Sequence, residues 1–178
     1  MSLAHAILGI LRIEPLTGYD LKTRYFDESI AHFWPADQAQ IYRTLDKLAQ
    51  EGWVESELEI QQDRPNRKVY RITEEGRREL RRWLTSPQPL PVHREPFLIQ
   101  LFFAEELENE QIIDQMEQQR AAHSALLAHY RAIELPPIGH PAATRDLTLQ
   151  RLTLELGILT EETSIAWLDA AIEAVRGL

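Results

Sequence analysis

The sequence predicts a mainly α-helical chain with one small β-hairpin, organised as two halves. Three observations predict it. Helical spacing of apolar residues holds over most of the chain, giving way to strand alternation only between Trp53 and Ile72. Four of the ten prolines crowd into Pro87-Gln88-Pro89-Leu90-Pro91-Val92-His93-Arg94-Glu95-Pro96. Proline removes backbone donors and restricts its predecessor, so no helix runs through this stretch and a semi-rigid linker is expected. The second half then carries more apolar helical surface than two lone helices can bury. The expected division is residues 1–86, a linker at 87–96, and 97–178.

The first helix covers about 2–13, where Leu3, Ile7, Leu8, Ile10 and Leu11 keep helical spacing until Pro15 stops it. The second starts at Thr17, with Asp20 in the position where a capping box places an acid, and runs to about Ser29. The third spans about 37–51, capped by Asp37 after Pro35 and closed by Gly52. In Trp53 to Ile60 the acids fall at 55, 57 and 59, with Val54, Leu58 and Ile60 expected on the other face. Residues 68–72 form the returning strand, and Gln61 to Arg67 is its polar loop. Pairing should set the acids of the first strand against Arg67, Lys68 or Arg71. A fourth helix begins near Thr73, with Glu74 and Glu75 in its first turn and Leu80, Trp83 and Leu84 directed inward.

In the second half one helical stretch covers about Phe97 to Ile133, with a candidate break at Glu108-Asn109. Ile112, Met116, Gln119, His123, Leu126, Tyr130 and Ile133 mark its apolar stripe. Pro136, Pro137, Gly139 and Pro141 make a turn, and a last helix runs from about Ala143 to Val175. Its leucines cover more than one stripe, so a partner chain is expected.

Three short helices followed by a hairpin is the order of a winged helix-turn-helix, whose third helix enters the DNA major groove while the hairpin follows the backbone. The second half is then a helical, coiled-coil-like dimerisation domain. With Ile41, Leu45 and Leu48 inward, Arg43 points almost directly outward. Gln38, Gln40, Tyr42, Arg43 and Lys47 are the candidate DNA contacts on this helix. Arg and Gln can read guanine and adenine edges bidentately, and Lys47, further on, is placed for phosphate. The wing offers Arg64, Arg67 and Lys68. Arg77, Arg78, Arg81 and Arg82 alternate with acids and read first as a paired surface face.

Charge tests this reading. The whole chain has net charge −9, which taken alone argues against a polyanionic partner. Residues 1–86, however, hold 13 basic and 14 acidic side chains, whereas 87–178 hold 6 and 14. Within the first half, Arg64 to Arg82 holds eight cations and three acids. A near-neutral half with a basic patch is joined to a strongly acidic one.

Other chemistries find little support. The absence of cysteine excludes disulfides, thiolate metal sites and a Cys nucleophile. The seven glycines make no phosphate loop, no serine sits in a nucleophile elbow, and the six histidines lack metal spacing. Neither an enzyme nor a cofactor or metal is expected. Glu105-Glu106 and Glu161-Glu162 read as solvated helix faces. Leu3 to Leu11 is too short to span a bilayer, so no membrane partner is expected and a cytoplasmic protein is. Trp34, Trp83, Phe97, Phe102 and Trp167 either pack in the core and dimer interface or line a pocket for a small, flat aromatic effector. A winged-helix module that binds protein, or an effector-binding protein without DNA function, is the alternative.

The residues also resemble a family. Leu3-Ala4-His5-Ala6-Ile7-Leu8-Gly9-Ile10-Leu11, Pro15-Leu16-Thr17-Gly18-Tyr19-Asp20-Leu21, Phe33-Trp34-Pro35-Ala36, Gln40-Ile41-Tyr42-Arg43-Thr44-Leu45-Asp46-Lys47-Leu48, Glu51-Gly52-Trp53-Val54, and Arg67 to Arg77 resemble the PadR family of transcriptional regulators. Arg94-Glu95-Pro96-Phe97 through Trp167-Leu168 is similar to the family's longer C-terminal type. The resemblance implies a homodimer that binds a near-palindromic operator, most often as a repressor. It also implies dimerising C-terminal helices and, in some members, release of DNA by small aromatic or drug-like molecules. Two departures stand out. The wing tip has no glycine, so Asn66 is expected to take any left-handed position, and Arg43 stands where many members carry proline.

Overall fold

A computed structural model describes residues 2–31, 33–60 and 66–178. The chain divides into two compact units, Met1–Leu90 and Pro91–Leu178. Among the described residues no helix is long and apolar enough to cross a membrane.

The first unit starts with α1 (Ser2–Leu11), followed by the two-residue strand β1 (Leu16–Thr17) and α2 (Gly18–Leu21). Thr17 caps α2: its Oγ1 accepts the Asp20 N–H at 3.0 Å and donates to the Asp20 carboxylate at 2.6 Å. The expected second helix does not continue as one α-helix. It widens to π geometry over Lys22–Ser29, where the Ile30 N–H reaches the Tyr25 carbonyl five residues back. Within this stretch Arg24 and Tyr25 both bond Glu14, which ties it to the turn that follows α1.

Next come α3 (Gln38–Gln50), β2 (Val54–Glu59), β3 (Arg67–Ile72) and α4 (Glu74–Leu84). β3 is the central strand of a three-stranded antiparallel sheet, order β1-β3-β2. The pairing with β1 could not be seen in two residues of sequence. The register sets Glu55 against Arg71 and Glu59 against Arg67, as charge pairing required, but Glu57 faces Val69. Val54 is buried. Leu58 and Ile60 are exposed, contrary to expectation: β2 is an edge strand, and among the described residues no element packs over its outer end. Asn66 does not take a left-handed conformation: the described residues with positive φ are Gly52 and Gly139. The core of this unit joins Ile7, Leu8 and Leu11 of α1 to Ile41, Leu45 and Leu48 of α3 and to Tyr70 and Leu80. Leu84, expected inward, lies exposed at the last residue of α4.

Two close contacts hold α4. Its N-terminus lies on the chain that leads into β2, so a Cβ on Gly76 would come 2.1 Å from the Trp53 carbonyl oxygen. Buried His5 of α1 bonds Glu79 at 3.0 Å and stacks on the Trp83 ring, centroids 4.6 Å apart.

The second unit holds α5 (Pro96–Phe102), a 3₁₀ turn (Ala104–Glu106), α6 (Asn109–Arg131) and α7 (Arg145–Arg176). The expected break at Glu108-Asn109 is present: Glu108 caps α6 in a box with Gln111. α6 and α7 run antiparallel. Arg120 meets Asp169, His123 meets Glu161, and Arg131 meets Glu162. Met116, Leu127 and Tyr130 are the buried residues of α6; the stripe therefore passes through Leu127, not Leu126. On α7 the buried line is Leu154, Glu161, Leu168 and Ile172. Glu161 is thus not a solvated acid. It is buried and bonds His123 Nδ1 at 2.5 Å, and its charge helps burial hold the Tyr130 hydroxyl above the usual tyrosine range. A second line on α7, Leu149, Leu152, Leu156 and Leu159, has heptad spacing and stays exposed.

Candidate nucleic-acid interface

The outer face of α3 is organised by its N-terminus. Asp37 accepts the Gln40 N–H at 2.6 Å, and the Gln40 side-chain oxygen accepts the Asp37 N–H at 3.0 Å. This reciprocal box fixes where the helix starts, and it turns the Gln40 side-chain oxygen toward the Asp37 N–H, using one of its two lone pairs. The amide NH₂ of Gln40 is its freer group for a base edge. Gln38, exposed in the first turn, has donor and acceptor together for a bidentate contact to adenine. The pattern Asp37-x-x-Gln40 was readable in the sequence as a box, and its bearing on base readout follows from it.

Tyr42 lies against the start of α2: a Cβ on Gly18 would come 2.6 Å from its ring. Gly18 therefore makes room for a tyrosine that is still more than one-third exposed. Arg43 and Lys47 project outward, and among the described residues neither makes an ion pair or a side-chain hydrogen bond. They stand on one groove with Gln40 and Thr44. Leu3 of α1 and the turn residues Phe33, Trp34 and Pro35 complete the groove.

The wing cations are differently placed. Arg67 lies 3.8 Å from the Asp20 carboxylate and 4.0 Å from that of Glu59, so the root of the wing is tied to α2 and to its own hairpin. The Lys68 ammonium sits 5.1 Å over the Tyr70 ring. Arg64 lies outside the described residues. On α4, Arg77, Arg78 and Arg82 pair with Glu74, Glu75 and Glu79, each three residues earlier. The Arg82 hydrogen bonds, then that from His5, hold the Glu79 carboxyl below the usual carboxylate range.

The five aromatic residues do not gather into one pocket within either unit. In the first, Trp34 lines the α3 groove while Trp83 packs on His5. In the second, Phe97 and Trp167 meet edge to face at 6.4 Å, and Phe102 packs on Phe103 with both largely exposed.

A three-helix core, a small sheet with its hairpin, and a cation-bearing outer helix face define a winged helix-turn-helix regulator with appended helices. Comparison with known proteins gives the family. Residues 7–82 match the transcriptional regulator PadR-like family, and residues 93–176 match the C-terminal domain of virulence activator alpha. The chain is 37% identical to a probable transcriptional regulator of Mycobacterium tuberculosis, over 99% of this chain and 98% of that protein. The negative transcriptional regulator PadR of Bacillus subtilis is 30% identical, over 97% of each chain. PadR has been solved with operator DNA, where the TM-score is 0.86 over 98% of this chain and 99% of that one. It has also been solved with p-coumaric acid, with a TM-score of 0.79 over 99% of each. The Vibrio cholerae virulence activator AphA gives 0.78 at 32% identity, over 98% of each chain. The chain belongs to the PadR-like family of transcriptional regulators.

Proposed function

We propose that the chain binds a near-palindromic operator as a homodimer and represses transcription in the cytoplasm, without enzymatic activity. In this reading residues 1–86 form the DNA-binding domain, 87–96 the linker and 97–178 the dimerisation domain. The observation that carries it is the state of the cations. Among the described residues Arg43 and Lys47 are exposed without ion-pair partners on the outer face of α3, whereas Arg77, Arg78 and Arg82 of α4 are neutralised by their own helix. Arg43 and Gln38 read base edges, with Tyr42 and the Gln40 amide beside them. Lys47, Arg67, Lys68 and Arg64 meet phosphate. The exposed heptad of α7, with Leu98, Ile99, Phe102 and Phe103 of α5, supplies apolar surface for a second copy. Similarity to PadR, solved both with operator DNA and with p-coumaric acid, supports repression and control by a small aromatic effector.

Selection of bound sequences from a random duplex library tests this reading. It should return an inverted repeat with half-sites about one DNA turn apart. Arg43→Ala should cost about 1–3 kcal/mol and relax one position in each half-site. Recovery of random sequence, or an Arg43→Ala protein with unchanged base preference, refutes it.

A further inference from the structure

The groove beside α3 extends past the residues assigned to base and phosphate reading. One wall is the turn before the helix. Phe33 is 60% and Trp34 40% exposed, although both backbone N–H groups are fixed on the Ile30 carbonyl at 3.2 and 2.9 Å. Pro35, buried Ala36 and the Asp37 cap follow immediately, so a short, well-anchored turn holds two large rings toward water. The opposite wall carries Arg43 and Lys47, and among the described residues no carboxylate lines the groove.

Rings and cations side by side match a nucleic-acid strand, where apolar sugar edges alternate with phosphates. The groove is too open for a small molecule, which binds well only when most of its surface is enclosed. A strand lying along α3 would cover the rings and meet the unpaired cations at once. We propose that Trp34, with Phe33 beside it, packs against the deoxyribose of the operator strand whose phosphate Lys47 holds. The turn before α3 is then a positioning surface for DNA that carries no sequence information. This rests on the DNA-binding reading above.

The test uses the full chain with Trp34→Ala, Trp34→Phe and Phe33→Ala. Truncating a well-placed interfacial tryptophan costs more than 1 kcal/mol and a dimer carries two, so Trp34→Ala should weaken binding about thirtyfold or more. The loss should be equal for the selected operator and a scrambled duplex. A neutral ring displaces no counterion, so the dependence of log K on log salt should keep its slope. Phe33→Ala should act in the same direction, and Trp34→Phe should retain most of the affinity. Saturating duplex should also shield one tryptophan from acrylamide, and Trp34→Phe should abolish that shielded component. Unchanged affinity in Trp34→Ala, or a loss confined to one base position, overturns the proposal. So does conversion to monomer, read by native mass spectrometry. If Trp34→Ala fails to fold, the Trp34→Phe shielding decides alone. Failure of any duplex to bind the unsubstituted protein would sink the DNA reading itself, whereas DNA binding indifferent to Trp34 sinks only this proposal.

Discussion

Replacing Lys47 with alanine gives a measurement whose size follows from the geometry. Lys47 has no ion-pair partner among the described residues, so on binding it meets phosphate without first releasing a carboxylate. Each phosphate neutralised releases counterions equivalent to a slope of about −0.9 in log K against log salt. Two copies in a dimer make the Lys47→Ala change about 1.8. Over about a fourfold rise in salt, the variant should therefore lose roughly tenfold less affinity than the unsubstituted protein. Arg67 is the internal control. It already lies 3.8 Å from Asp20 and 4.0 Å from Glu59, so phosphate there partly replaces a protein carboxylate and fewer ions are released. Arg67→Ala should shift the slope by clearly less than Lys47→Ala does. Fluorescence anisotropy of a labelled operator across a potassium chloride series measures both. A Lys47→Ala slope equal to that of the unsubstituted protein, or an Arg67→Ala shift as large as that of Lys47→Ala, refutes the reasoning.

Three further outcomes follow from contacts already described. Gly76→Ala should lower the melting temperature, because a Cβ 2.1 Å from the Trp53 carbonyl costs about 1–3 kcal/mol of overpacking against a helix-propensity gain of about 1 kcal/mol; a higher melting temperature by calorimetry contradicts this. Glu79→Gln should destabilise the protein at neutral pH. The folded Glu79 carboxyl is held down by Arg82 and His5, so its contribution is present above the unfolded value of about 4.3 and is lost as pH falls through the folded one. Melting curves of the two proteins should converge in acid, and a gap that persists there assigns the loss to packing. Leu156→Lys together with Leu159→Lys places two cations on each copy's exposed heptad and should yield monomer by sedimentation, with operator affinity falling in step; an intact dimer moves the interface elsewhere.

Much of this was legible because the signals are local. Ile41, Leu45 and Leu48 share one side of any helix drawn through them, and all three are buried. The caps at Thr17, Asp37 and Thr73 are short-range patterns, and all three are made. Misreadings arose where tertiary context decides. Alternation in β2 gives two faces but cannot say that the sheet ends there, so Leu58 and Ile60 looked like core. Glu161-Glu162 is one motif in sequence and two environments in the fold, because one residue's step around α7 carries Glu161 to His123 and Glu162 to Arg131. The groove beside α3 draws on Leu3, Phe33 and Thr44, separated in sequence and brought together only by packing.

The structure also changes what the charge of −9 means. The basic window from Arg64 to Arg82 suggested a local excess. Three of its arginines are spent on glutamates of α4 and a fourth lies between Asp20 and Glu59. Among the described residues of that window, Lys68, Arg71 and Arg81 keep no ion pair, while on α3 Arg43 and Lys47 face outward unpaired beside two exposed rings. A dimer of so acidic a chain gains little from long-range attraction, which dominates non-specific binding. Its affinity has to come from short-range contacts that only a matched site completes. Such a protein is expected to bind bulk DNA weakly, and the ratio of specific to non-specific affinity decides occupancy of an operator among many competing sites. The acidity of the second half is therefore compatible with DNA binding, and it favours discrimination over tight retention on any duplex.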